Sequence, residues 1–355
     1  MNILLIGGSN LVVVAGMSGM IPVLFEEAGT KIESCDNLSV GGTGSLFGME
    51  NLAAYAGTER DLIIIEYGIN DLETYGRDRK LWEMGFRGLL SLTRERFPGA
   101  LIATVLLGQR TEWVWAWQRQ MHLEMTALSV AFNALVVDID AHLKAVTARP
   151  QFDALYSDDA HYQLPVAAEL VSREVVLRCL ESLASVSGAI TIEPPAEPLS
   201  LHLTIPCGTT QSFGNSRFTR NATVIAEGGC ITLDTPGVPV GLSFVSLPDS
   251  CAAHLSLDGR TLIVSTLGAK VNSGQFKFLI KHVPLVGMGN LTQPFPGSSR
   301  LHIRAINSQS AHWTPDAVYK DALLVPPDSG KHLYLCAVTS FAPPGQTTSF
   351  DMNGR

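Results

Sequence analysis

The sequence predicts an α/β domain with a parallel sheet, followed by an all-β domain of sandwich or jelly-roll type. Three observations lead there. Residues 1–186 alternate short apolar runs with helix-like stretches, which implies β-α-β crossovers and a sheet covered on both faces. Residues 187–198 collect prolines and small residues, which suit a linker and cannot sustain a helix. From 199 to 355 the chain turns to short alternating runs punctuated by Gly and Pro, without a strong helix candidate. A length of 355 residues also favours two domains over one.

The elements follow in order. Ile3 to Ile6, Asp61 to Tyr67, Ala100 to Leu107 and Ala134 to Ile139 are short and rich in apolar, β-branched residues, the pattern of buried parallel strands. Lys31 to Val40 is a weaker fifth. Helical stretches run from Ser18 to Ala28, Arg79 to Arg96, Arg119 to Phe132 and Val166 to Leu183. In the second half, strand-like runs are Leu199 to Ile205, Ala222 to Leu233, Gly241 to Leu247, Ala253 to Leu257, Thr261 to Thr266, Gln275 to Val283, Arg300 to Ile306 and His332 to Ser340. No repeat of fixed period is evident.

Bulk properties exclude several classes. Hydrophobic residues make up 46% and charged ones 16%, enough apolar content for a sizeable core. A net charge of −8 argues against nucleic acid as a partner, which would require clustered Lys and Arg. No run approaches the roughly 20 apolar residues of a membrane span, and Gly7-Gly8-Ser9-Asn10 interrupts the first apolar stretch before it could act as a signal sequence. A soluble, cytoplasmic protein is the expectation. Six scattered cysteines form no CxxC pair and no cluster with histidine, so reduced thiols and no metal are expected, with a disulfide in the second half as the alternative. The second-half histidines lack ligand spacing.

In open α/β sheets, reactive groups gather at the carboxyl ends of strands. Four blocks fall in such places: Gly7-Gly8-Ser9-Asn10, Gly41-Gly42-Thr43-Gly44, Gly68-Ile69-Asn70-Asp71 and Asp158-Asp159-Ala160-His161. A serine hydroxyl becomes a nucleophile when a histidine accepts its proton and a carboxylate fixes that histidine's tautomer. Ser9 would attack, His161 would act as base and Asp158 would orient it, since a spacing of three allows both side chains on one side of a turn. Asp159 competes but would point elsewhere. Backbone N–H groups of Ser9 and Gly42 and the Asn70 carboxamide would form the oxyanion hole. Taken singly, each has a plainer reading: Ser9 as a helix N-cap, His161 and Asn70 as turn residues. Asp71 reads as structural.

Together the four blocks resemble those of the SGNH (GDSL-type) hydrolases, over about residues 1–185. The resemblance implies a flavodoxin-like three-layer α/β/α fold, ester hydrolysis through an acyl-serine, and neither cofactor nor metal. One departure stands out: the serine block of that family usually has Asp before the nucleophile, and this chain has Gly8.

Trp113, Trp115 and Trp117 follow the fourth strand at alternate positions and could form a stacking wall for a sugar or acyl group. Trp113, the earliest, is the substrate-binding candidate, with Arg110 beside it. The expected function is a serine esterase that removes a short acyl group, most plausibly acetyl, from a carbohydrate or similar polar ester. The alternatives are an O-acyltransferase acting on a glycan hydroxyl and an inactive glycan-binding or assembly protein. The β domain could bind glycan, cover the site or join subunits into a homo-oligomer.

Overall fold

The computed structural model describes residues 1–185, 200–215, 218–291, 295–307 and 331–342. The linker expected at 187–198 lies outside the described residues. By its internal contacts the chain divides into two compact units, Met1–Ala196 and Glu197–Arg355.

In the first unit, strands β1 (Asn2–Gly7), β2 (Ser34–Asn37), β3 (Leu62–Glu66), β4 (Leu101–Leu106) and β5 (Leu135–Asp138) form one parallel sheet in the order β2-β1-β3-β4-β5. The chain moves from β1 to β2 on one side and then returns to β3 on the other. The switch point therefore lies between β1 and β3, where a crevice opens at the carboxyl ends. Helices α1 (Met17–Glu27), α2 (Ser45–Ala54), α3 (Leu72–Arg77), α4 (Arg79–Arg96), α5 (Trp115–Ala131), α6 (Ile139–Val146), α7 (Arg149–Ala154) and α8 (Val166–Ser185) accompany it. Side chains alternate across each strand. Ile3, Leu5, Leu62 and Ile64 join Ile21 and Phe25 of α1 and Val171, Val175 and Cys179 of α8 in one core. Leu4, Ile6, Ile63 and Ile65, also fully buried, face the layer in which α2 and α4 pack together. This is the expected three-layer α/β/α arrangement.

Four short helices were not anticipated. Helix α2 is buried from Ser45 to Leu52, so it shows no apolar stripe against a polar face. Helices α3, α6 and α7 are only six to eight residues long, too short to establish a period. Helix α5 begins at Trp115, four residues before the expected Arg119.

The second unit holds two antiparallel sheets. One contains β6 (Ser200–Thr204), β7 (Thr210–Gly214), β8 (Thr219–Ala226), β10 (Val238–Ser246), β13 (Leu279–Pro284) and β15 (His332–Ala342). The other contains β9 (Cys230–Pro236), β11 (Ala252–Leu257), β12 (Arg260–Ser265) and β14 (Ser298–Ile306). Leu242, Phe244, Leu333 and Leu335 of the first sheet share a core with Leu255, Val264, Leu301 and Ile303 of the second, which makes a sandwich.

Two expected strands differ in the structure and one strand was not anticipated. The run Ala222 to Leu233 is two strands, parted by a turn at Gly228, whose φ is +79°. Edge strand β7 is polar and mostly exposed, so it gave no apolar signal. Ahead of β13, which starts only at Leu279, a helical turn, α9 (Ala269–Asn272), precedes the run assigned from Gln275. All six cysteines are free thiols, so the alternative of a disulfide in the second half does not hold. Among the described residues no helix is long and apolar enough to cross a membrane.

Candidate active site

Ser9 and Asn70 leave the sheet on either side of the switch point, Ser9 after β1 and Asn70 after β3, and Gly7 pairs with Glu66 in register. Ser9 opens a short 3₁₀ helix, Ser9–Leu11, in which Gly8 occupies the N-cap position. The serine hydroxyl is therefore not used as a cap. It lies 2.7 Å from His161 Nε2, and His161 Nδ1 lies 2.7 Å from Asp158 Oδ2. The other carboxylate oxygen, Asp158 Oδ1, accepts from the backbone N–H groups of Ala160 and His161 at 2.8 and 2.9 Å. That turn explains how a spacing of three suffices: one carboxylate holds both the loop and the ring. Partial burial by itself would raise the Asp158 pKa, but hydrogen bonds from Ala160 N–H, the His161 ring and His161 N–H outweigh it and hold the carboxyl below its ordinary value. It is ionised where a histidine base works.

Asn10, the residue after Ser9, ties the serine loop to the histidine turn. Its Nδ2 donates to the Ala160 carbonyl at 3.0 Å and its Oδ1 accepts from Tyr162 N–H at 3.3 Å. One carboxamide thus joins the serine loop to both sides of His161. Its place directly after Ser9 was the available sequence signal for that tie.

The Asn70 loop is held from below. The Gly68 carbonyl accepts from Gln118 Nε2 at 2.9 Å and lies 3.0 Å from His122 Nε2, both fully buried. Burial lowers the His122 pKa and favours the neutral ring. Asp71 is structural, as expected: buried, it accepts from Ser45 N–H at 2.7 Å and ties the Asn70 loop to the start of α2. The Asn70 carboxamide lies against Gly8. A Cβ added at residue 8 would stand 2.6 Å from Asn70 Cγ and closer still to Oδ1. Asn70 Oδ1 is buried with no hydrogen-bond partner among the described residues; Nδ2 is the carboxamide's donor atom.

The glycine block, Gly41-Gly42-Thr43-Gly44, offers two neighbouring candidate donors, Gly41 and Gly42. Of its glycines, Gly41 stands against the nucleophile, with a Cβ position 3.6 Å from Ser9 Cβ. Gly42, the residue chosen from the sequence, comes next and takes the left-handed conformation with φ +71°, which turns the loop. Distance from a weak preceding strand could not separate two neighbouring glycines. The backbone N–H groups of Ser9, Gly41 and Gly42 all donate to nothing among the described residues.

The tryptophan run also differs from expectation. Alternate positions share a face only in a strand, and here the chain passes from a 3₁₀ helix, Glu112–Val114, into α5. Trp113 is 81% exposed, Trp115 donates its indole N–H to the Gln109 carbonyl and packs on Phe152, and Trp117 meets the edge of Tyr75. No stacking wall forms. Trp113 and Arg110 do line one open groove of about 670 Å³, which Asp159, the neighbour of Asp158, also borders. As expected, Asp159 points away from His161 and pairs with Arg110 at 2.8 Å.

No protein-family model matches the sequence, and no curated protein matches it. Solved structures do. A two-domain esterase (CEX) active on acetylated mannans, co-crystallised with mannopentaose, matches with a TM-score of 0.67 at 14% identity, over 98% of this chain and 92% of that one. The chain shares its fold with a two-domain esterase. Over half of this chain, a catalytic mutant of an acetylxylan esterase from Geobacillus stearothermophilus (Axe2) gives 0.41 at 17% identity, covering 50% of this chain and 92% of that one. TesA gives 0.43 at 18%, covering 52% and 99%.

Beneath the serine loop, Glu66 is fully buried and neither carboxyl oxygen has a hydrogen-bond partner among the described residues. Desolvation pushes its pKa from 4.5 up to about 8; the nearby Gly8 amide opposes this, and Asp71 adds to it. The folded state thus keeps a proton that the unfolded chain releases. Its contribution is fully present below about pH 4.5 and is lost as pH rises through about 8. Glu66→Gln is expected to stabilise the protein at pH 8 by on the order of 3 kcal/mol and to leave stability near pH 4.5 little changed. Urea unfolding of both proteins at the two pH values checks this; equal pH dependence would refute the buried-acid account.

Proposed function

We propose that this chain is a serine esterase of the SGNH type that removes acetyl groups from a carbohydrate ester. The observation that carries the reading is the continuous Ser9–His161–Asp158 relay, with 2.7 Å at each step. His161 Nε2 takes the Ser9 proton as Oγ attacks the ester carbonyl. Asp158 keeps the ring in the tautomer that does so and stabilises the imidazolium. The tetrahedral oxyanion is met by the Asn70 carboxamide and by the N–H groups of Ser9 and of the Gly41-Gly42 turn, fixed before the reaction begins. Collapse breaks the ester C–O bond, and the alcohol leaves with the proton from His161. Water, activated by the same histidine, then releases acetate and restores Ser9.

The acetyl and carbohydrate parts draw support from the fold shared with an esterase of acetylated mannans and from the open groove bordered by Asp159, the sequence neighbour of Asp158. The intact relay counts against an inactive binding protein. The test is acetate release from p-nitrophenyl acetate and from acetylated oligosaccharides, with and without an unacetylated sugar acceptor. Release independent of acceptor is the expected result. Acetyl transfer to the sugar in place of release would make the protein an O-acyltransferase.

A further inference from the structure

The groove that begins at Asp159 is far larger than an acetyl group requires and lies in the size range of ligand pockets. Trp113 presents an indole with 81% of its surface exposed, a large apolar face that the fold of the first unit does not use. Around it stand two arginines, and neither is uncommitted. Arg110 pairs with Asp159 at 2.8 Å. Arg149 pairs with Glu112 at 2.9 Å and with Asp153 at 3.0 Å, and its guanidinium lies 4.7 Å from the centre of the Trp115 ring. Three carboxylates against two guanidinium groups leave the rim formally at −1.

Such a rim offers many hydrogen-bond donors and acceptors at fixed positions but no unmatched positive charge. Sugar hydroxyls can bridge an arginine and its carboxylate, whereas a substrate carboxylate would have to displace one and meet the others as like charges. Resting on the esterase reading of the triad whose Asp158 precedes Asp159, we infer that this groove is a saccharide subsite that stacks a neutral sugar ring on Trp113 and discriminates against uronic-acid glycans. Trp113 and the Arg149–Glu112 pair then set which acetylated chains reach Ser9.

Calorimetric binding to Ser9→Ala protein tests the subsite without requiring turnover. Xylopentaose or mannopentaose is expected to bind, and pentagalacturonate to bind at least tenfold more weakly. Adding Trp113→Ala should weaken the neutral pentasaccharide about tenfold, with Trp113→Tyr restoring part of the loss. Glu112→Gln, which removes one carboxylate from Arg149, should narrow the gap between neutral and acidic ligands. Neutral binding unaffected by Trp113→Ala, no binding of either neutral pentasaccharide, or galacturonate binding as tightly as the neutral chains would overturn the inference. Hydrolysis of p-nitrophenyl acetate by the wild type reports separately on the esterase reading, since that ester carries no sugar.

Discussion

Ser9→Ala and His161→Ala are each expected to lower turnover of p-nitrophenyl acetate by about 10⁴-fold or more, to near background. Both remove a member of one hydrogen-bonded relay, so the double variant should be no worse than either single one. Asp158→Ala should cost less, because the histidine can still accept a proton while losing its preferred orientation. The structure adds a qualification: Asp158 also holds the Ala160 and His161 backbone N–H groups, so alanine there loosens the loop as well as the ring. Asp158→Asn, which keeps an oxygen acceptor for those two N–H groups, separates the effects. Activity close to that of Ala would assign most of the loss to the missing charge on the ring, and partial recovery would assign it to the loop. Unchanged turnover in Ser9→Ala would remove the basis of the mechanism.

The second large effect concerns Gly8. A methyl group at residue 8 cannot coexist with the Asn70 carboxamide in its present place. Gly8→Ala should therefore displace the Asn70 donor and reduce kcat on the order of 10²-fold, the typical cost of one oxyanion donor. Asn70→Ala should lose a similar factor. If Gly8 acts through Asn70, the losses do not multiply, and the double variant should resemble Asn70→Ala alone. Fully multiplicative losses, or a Gly8→Ala enzyme with normal kcat, would show that residue 8 does not position the donor. The one departure from the SGNH pattern thus has a physical meaning: in this chain the residue before Ser9 makes room for the Asn70 carboxamide, the proposed oxyanion donor.

The sheet of the first unit was legible because β1, β3 and β4 are continuous apolar runs, and buried parallel strands require that pattern. Ser9, Asn70, Asp158 and His161 were legible because each sits in a short block at a strand end or a turn. What escaped notice depended on three-dimensional neighbours. Helix α2 is buried on every side, so periodicity could not reveal it. The choice between Gly41 and Gly42 depends on which residue faces Ser9. Asn10 acts across 150 residues of sequence, from its place beside Ser9 to the carbonyl of Ala160. The tryptophan wall failed because a period of two was read where the backbone is helical. Arg149 could not be associated with Arg110 and Trp113 before the fold brought α7 beside the loop after β4; its Nη2 donates to the Arg110 carbonyl at 3.1 Å.

The central claim is that Ser9 is a nucleophile activated by His161. Treating the wild-type protein with a fluorophosphonate probe and locating the adduct by peptide mass spectrometry tests it directly. The account predicts stoichiometric labelling on Ser9, abolished in His161→Ala. Absence of labelling, or an adduct on a different serine, would contradict it.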